Sequence, residues 1–89
     1  MKAIVSVIGK DKTGIIAKVA TALSNMRINI EDISQTIMQN QFFTMIMMIG
    51  LGDNDSIEDI NEKLQVIARE MGVEINVRHE DIFNSMHRI

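Results

Sequence analysis

The sequence predicts an α+β sandwich of order βαββαβ, with a four-stranded antiparallel sheet and two helices on one of its faces. Three observations predict it. The apolar pattern switches between a period of two and a period of 3.6 in the order strand, helix, strand, strand, helix, strand. Strands at 2–8 and 42–49 are apolar on both sides apart from Ser6 and Thr44, whereas 33–39 and 73–79 alternate with polar residues. The doubly apolar pair therefore belongs in the centre and the alternating pair at the edges. Right-handed crossovers lead independently to the same sheet order, 4-1-3-2, the split-βαβ or ferredoxin-like arrangement.

In the first strand Ala3, Val5 and Val7 share one side, and Ile4, Ser6 and Ile8 the other. Gly9-Lys10-Asp11-Lys12-Thr13-Gly14 breaks the alternation and reads as a loop. From Gly14 onward Ile15, Ile16, Val19, Ala20, Leu23 and Met26 form a helical stripe. Thr13 or Asp11 is placed to cap that helix, and Asn25 is the candidate for a left-handed residue at its end. Asn29-Ile30-Glu31-Asp32 leads into a second strand at about 33–39, and Asn40 marks a tight turn into the third. After the loop Gly50–Asp55, Ile57, Ile60, Leu64, Ile67 and Met71 fall on one face of the clearest helix in the chain. Asp55 or Ser56 caps it, with Glu58 and Asp59 in its first turn, and Gly72 ends it. Val73, Ile75 and Val77 alternate through a fourth strand. Residues 1–89 thus read as one domain, with its core at about 2–79 and a tail at 80–89 whose apolar residues suit one or two turns of docked helix.

Composition narrows the chemistry. A net charge of −3 without a basic run argues against a nucleic-acid partner. The absence of cysteine excludes disulfides, thiolate metal sites and cysteine nucleophiles. His79 and His87 have no evident companions at metal-ligand spacing, so no metal is expected. Gly52, Asp53, Asn54 and Asp55 share fragments with a calcium loop, but the downstream ligands are missing and a turn with a helix cap is the better reading. The serines have no histidine partner that the sequence identifies. No catalytic residue and no cofactor emerge, and a non-enzymatic role is expected. The apolar start Met1–Gly9 is too short and too soon followed by charge for a signal peptide, and no run approaches the roughly 20 residues needed to span a bilayer. The expected location is the cytoplasm, with no membrane partner.

Helices on one face leave the other bare. Depending on register it presents Ala3, Val5 and Val7 or Ile4, Ser6 and Ile8, beside one of the two sets of the third strand. Such a patch exceeds what a soluble monomer usually exposes, so a homodimer or a docked partner is expected.

The loop before the first helix is the most site-like stretch. A helix N-terminus offers unpaired N–H groups and partial positive charge to a carboxylate or phosphate. Gly14 permits close backbone approach, Asp11 can accept from an ammonium group and Thr13 can donate to a carboxylate. A plain capped turn fits the same spacing. Asn29, placed by this reading at the same end of the sheet, could grip an amino acid with its amide or could simply satisfy its own backbone.

Taken together, Ile4–Ala20, Leu23 and Ile28-Asn29-Ile30-Glu31-Asp32-Ile33 resemble an ACT domain: a strand, an Asp-x-x-Gly-Ile turn, an apolar helix and an Asn-Ile step. The match in topology covers about 2–79, with the specific motif at 4–33, and it is nearest to small stand-alone bacterial and archaeal ACT proteins. The resemblance implies a regulatory module that holds an amino-acid-like ligand between subunits. On this chain it points to Asp11, Lys12, Thr13, Gly14, Ile15, Asn29 and Ile30. The competing reading is a protein-interaction module without a small ligand, docking an enzyme or regulator through the bare sheet face or the tail. An RNA-recognition motif would need stacking aromatics and a basic face, and an acylphosphatase would need an arginine within 9–14; both are absent.

Overall fold

The computed structural model describes residues 1–10, 14–38 and 42–80. The elements are β1 (Lys2–Lys10), α1 (Ile15–Asn25), β2 (Asn29–Met38), β3 (Phe42–Gly50), α2 (Ile57–Met71) and β4 (Glu74–His79). The sheet order is β2-β3-β1-β4, and every neighbouring pair is antiparallel. This is the expected ferredoxin-like order, read from the opposite edge. The expected turn at Asn40 and the tail beyond residue 80 lie outside the described residues.

Register decides which apolar set meets the helices. Ala3, Val5 and Val7 pair with Ile49, Met47 and Met45, and Ile75 lies beside Val7. These residues are buried in one cluster with Ile15, Val19 and Leu23 of α1 and Ile60, Leu64 and Ile67 of α2. Each large side chain buried there contributes about 1.5–3 kcal/mol. Ile4, Ser6, Ile8, Phe42, Thr44, Ile46 and Met48 therefore occupy the open face.

α2 has both expected ends. Ser56 Oγ accepts from the Asp59 N–H at 3.3 Å, Gly72 turns left-handed at φ 67°, and the Val73 N–H reaches back to the Ala68 carbonyl at 3.0 Å. Midway, Gln65 Nε2 donates to the Ile75 carbonyl at 2.6 Å and ties the helix to β4.

Several local expectations are corrected. β1 does not stop at Ile8 but runs through Lys10, and Gly9 belongs to it. A Cβ on Gly9 would overlap the Val73 side chain, so this glycine makes room for the entry to β4. α1 starts from Gly14 itself, in the left-handed region at φ 86°, and the expected caps Thr13 and Asp11 lie outside the described residues. At its other end Arg27, not Asn25, takes the left-handed turn, at φ 60°. β2 begins at Asn29 and contains a bulge between Ile30 and Asp32. The extra residue puts both Ile30 and Ile33 on the helix side, an odd spacing that regular alternation forbids. Glu31, at the bulge, reaches over Gly50 to pair with Lys2 Nζ at 3.0 Å. A side chain on Gly50 would block that reach.

Candidate functional site

Of the residues expected to hold a ligand, Asp11, Lys12 and Thr13 lie outside the described residues. Gly14 is exposed at the start of α1, and nothing stands within 4 Å of where its Cβ would be. Its carbonyl accepts from the Lys18 N–H at 3.0 Å, which opens the helical ladder. The first N–H groups of a helix have no partner within the helix itself. Ile15 is 2% exposed, so its side chain anchors the helix start in the core and leaves only backbone for a ligand. Ile30 pairs with Ile49 on the helix side and packs against the same core. Asn29 is exposed and pairs with Gly50.

The structure overturns the placement of Asn29 beside the first loop. Asn29, Gly50 and Lys2 form one end of the sheet, whereas Met38, Phe42 and Lys10 form the other. β1 and β2 both run antiparallel to the strand between them, so they are parallel and start together. The loop follows the end of β1, and about 25 Å of strand separates it from Asn29. One chain cannot close both around one small molecule.

Two of the described clefts lie elsewhere. One, of about 390 Å³, runs between the helices and is lined by Ala17, Lys18, Thr21, Asn25, Ile67 and Glu70 among others. A smaller one, of about 170 Å³, lies where Met26 and Ile28 meet the start of α2. Neither is lined by Gly14, Ile15, Asn29 or Ile30. At 52–55 the Gly52 N–H donates to Asp55 Oδ2 at 2.6 Å, as a closed turn requires. Among the described residues no cluster of three His, Cys, Asp or Glu is placed to hold a metal, and no helix is long and apolar enough to cross a membrane.

The outer edge of β2 carries a feature that the sequence reading missed. Ile33 and Ile37 point to the helix side, opposite Met47 and Phe43, yet are 39% and 59% exposed. α1 does not reach over them. The flank of α1 that lines the inter-helix cleft carries Ala17, Lys18, Thr21 and Asn25, so Ile16 and Ala20 lie on the flank toward β2. An apolar seam thus follows the edge strand. The bulge and the Asp32 carboxylate, which accepts from the Ile33 N–H at 2.9 Å, guard its first half. The misfit spacing of Ile30, Ile33 and Ile37 was the only trace of this seam in the sequence.

The family model of the ACT domain matches residues 2–78. The chain belongs to the ACT domain family. A UPF0237 protein of Clostridium acetobutylicum is 51% identical over 90 residues and is matched over the full length of both chains. Among solved structures, an ACT domain protein from Streptococcus pneumoniae is 34% identical, with a TM-score of 0.82 and 93% of each chain covered. The ligand-free regulatory subunit of aspartate kinase from Thermus thermophilus is 28% identical, with a TM-score of 0.70 over 86% of this chain and 50% of that one. ACT domains are regulatory, small-molecule-binding modules, and this chain has their architecture through β4.

Proposed function

We propose that this ACT domain is a non-catalytic, cytoplasmic regulatory module that binds an amino acid or similar metabolite where two copies meet along β2. The observation that carries the reading is the separation of Gly14 and Asn29 to opposite ends of the sheet, together with the exposed seam between them. A two-fold axis at Gln35, the middle of β2 after its bulge, runs the two edge strands antiparallel. It sets Ile33 opposite Ile37 of the partner subunit, twice, and covers both. A backbone carbonyl then replaces the Asp32 carboxylate on the Ile33 N–H. The same rotation carries Asn29 of the partner subunit just past the end of β2, to the end where α1 begins. There the N–H groups of α1 suit a carboxylate, the partner's amide suits either ligand group, and Asp11 suits an ammonium. The regulatory subunit of aspartate kinase supports the regulatory part of this reading.

The test is a melting screen against single amino acids, paired with mass measurement. A ligand at about 100 times its Kd adds about 2.7 kcal/mol, a rise of roughly 10–20 °C for a domain of this size. Asn29→Ala abolishes the rise, and Ile37→Glu abolishes both the rise and the pairing. The reading fails if no amino acid moves the melt, or if a monomeric variant binds as well as the parent. The rival reading, docking of a different protein, draws its support from the apolar open face.

A further inference from the structure

The open sheet face is not uniformly bare. Toward its Lys10 end Ile8, Phe42 and Ile46 are 44%, 42% and 37% exposed, whereas toward its Lys2 end Ile4 is 8% exposed. Both helices pack on the opposite face, so neither of them covers Ile4. We propose that residues 81–89 of the same chain lie as a helix across the open face, over Ile4 and Met48. This strap closes the Lys2 end of the face and leaves the Lys10 end open. The proposal goes beyond the ligand reading and does not rest on it.

The chain leaves the sheet at the right place for such a strap. β4 ends at His79, which pairs with Ala3, so the terminal segment starts beside Ile4. Glu80, the last described residue, is already helical and half-buried. Its charge is felt on the open face. Lys2 shares that face with Ile4, and its pKa is raised mainly by Glu31 and in smaller part by Glu80.

Length and pattern fit one row of the sheet. Arg78, Ile4, Met48 and Asp32 are neighbours across the four strands. From β4 to β2 is roughly 14 Å at the usual strand spacing. A helix over 81–89 is roughly 13.5 Å long. Ile82, Phe83, Met86 and Ile89 then share one side of it, about one apolar residue for each strand crossed.

Charge fixes the direction. The row is basic at its β4 edge, with Arg78, acidic at its β2 edge, with Asp32, and apolar between them. The segment is acidic at its start, with Asp81, and basic near its end, with His87 and Arg88. Laid from β4 to β2 it sets Asp81 near Arg78 and Arg88 near Asp32. Laid in the reverse direction by another molecule, it would oppose like charges. The same arrangement puts an acid at the start of the helix and bases at its end, as the helix dipole favours.

The chain has no cysteine, so a thiol introduced singly reports the cover at one position. In the full chain Ile4→Cys should react with iodoacetamide roughly tenfold or more slowly than Ile8→Cys. Removing residues 81–89, or Phe83→Ser, should abolish that difference while the far-ultraviolet spectrum stays that of the folded chain. Arg88→Asp should weaken the protection, and Asp32→Arg in that background should restore it, which keeps the test decisive where truncation unfolds the chain. Protection that survives about hundredfold dilution supports the chain's own terminus as the cover. Protection lost on dilution overturns the proposal, because another copy would then be the occupant. So does a folded chain lacking residues 81–89 in which Ile4→Cys stays protected, or an Arg88→Asp variant labelled no faster than the parent.

Discussion

Gly9 offers a quantitative test of how β1 meets β4. Alanine normally suits a strand better than glycine by roughly 0.5–1 kcal/mol. Here the sign should reverse. The added Cβ would overlap Val73 Cγ1, lie 3.0 Å from Val73 Cβ and 3.5 Å from its Cα. These atoms are the stiff base of a β-branched side chain next to a helix cap, not the tip of a flexible one. Relief requires β4 to shift, and overpacking of that kind costs about 1–3 kcal/mol. In a domain this small, Gly9→Ala should therefore lower Tm by roughly 5–20 °C. Val73→Ala removes the overlapping Cγ1 methyl and leaves the contacts at 3.0 and 3.5 Å. On its own it loses about 1–2 kcal/mol of packing, but in that background Gly9→Ala should cost well under half of its first value. Denaturant titration of the four proteins gives the coupling energy. Additive effects, or a stabilising Gly9→Ala, would refute the proposed packing of Gly9 against Val73.

Three further outcomes follow from local geometry. Arg27 holds a left-handed conformation that disfavours side chains, so Arg27→Gly should raise stability by about 0.5–1 kcal/mol, read as a Tm increase of a few degrees. Ser56→Ala removes the cap of α2, but the bond is long at 3.3 Å, so the loss in urea titration should be about 0.5 kcal/mol, with Ser56→Asp restoring it. The hydrogen bond from Lys2 to Glu31, reinforced by the carboxylate charge, raises the Lys2 pKa above its ordinary 10.5. A raised folded-state pKa favours folding while the lysine is charged, so the contribution is complete below 10.5 and fades as pH climbs through the raised value. The stability advantage of the parent over Lys2→Met should be level across neutral pH and disappear on the alkaline side, in melts recorded between pH 7 and 12.

Much of the fold was legible from short-range patterns. α2 announces itself by Ile57, Ile60, Leu64 and Ile67, and both of its caps were visible as Ser56 and Gly72. The sheet order followed from which strands are apolar on both sides. Less visible was anything that depends on an insertion or on a neighbour far along the chain. The bulge at Glu31 moved the start of β2 back to Asn29 and put Ile30 and Ile33 on one side. Gly9 looked like the start of a loop because the Val73 side chain that requires it lies far along the sequence. Asn25 was the residue type expected to turn left-handed, but Arg27 does so because the Ile28 N–H must return to the Leu23 carbonyl at 2.9 Å before β2 can begin.

Local pattern was enough for the kind and order of the elements, the central and edge strands, and the family motif around Gly14 and Asn29. Each is a property of periodicity or of adjacent residues, because backbone geometry imposes periods of two and 3.6 wherever a segment folds. Which face of the sheet the helices cover, and that Asn29 lies at the opposite end of the sheet from the loop before Gly14, emerged only when the strands were paired. So did the position of Ile33 and Ile37 outside the reach of α1. These are relations of register and strand direction between distant segments. A one-residue slip would exchange the two faces of a strand without altering its composition, so they are settled only when the strands pair.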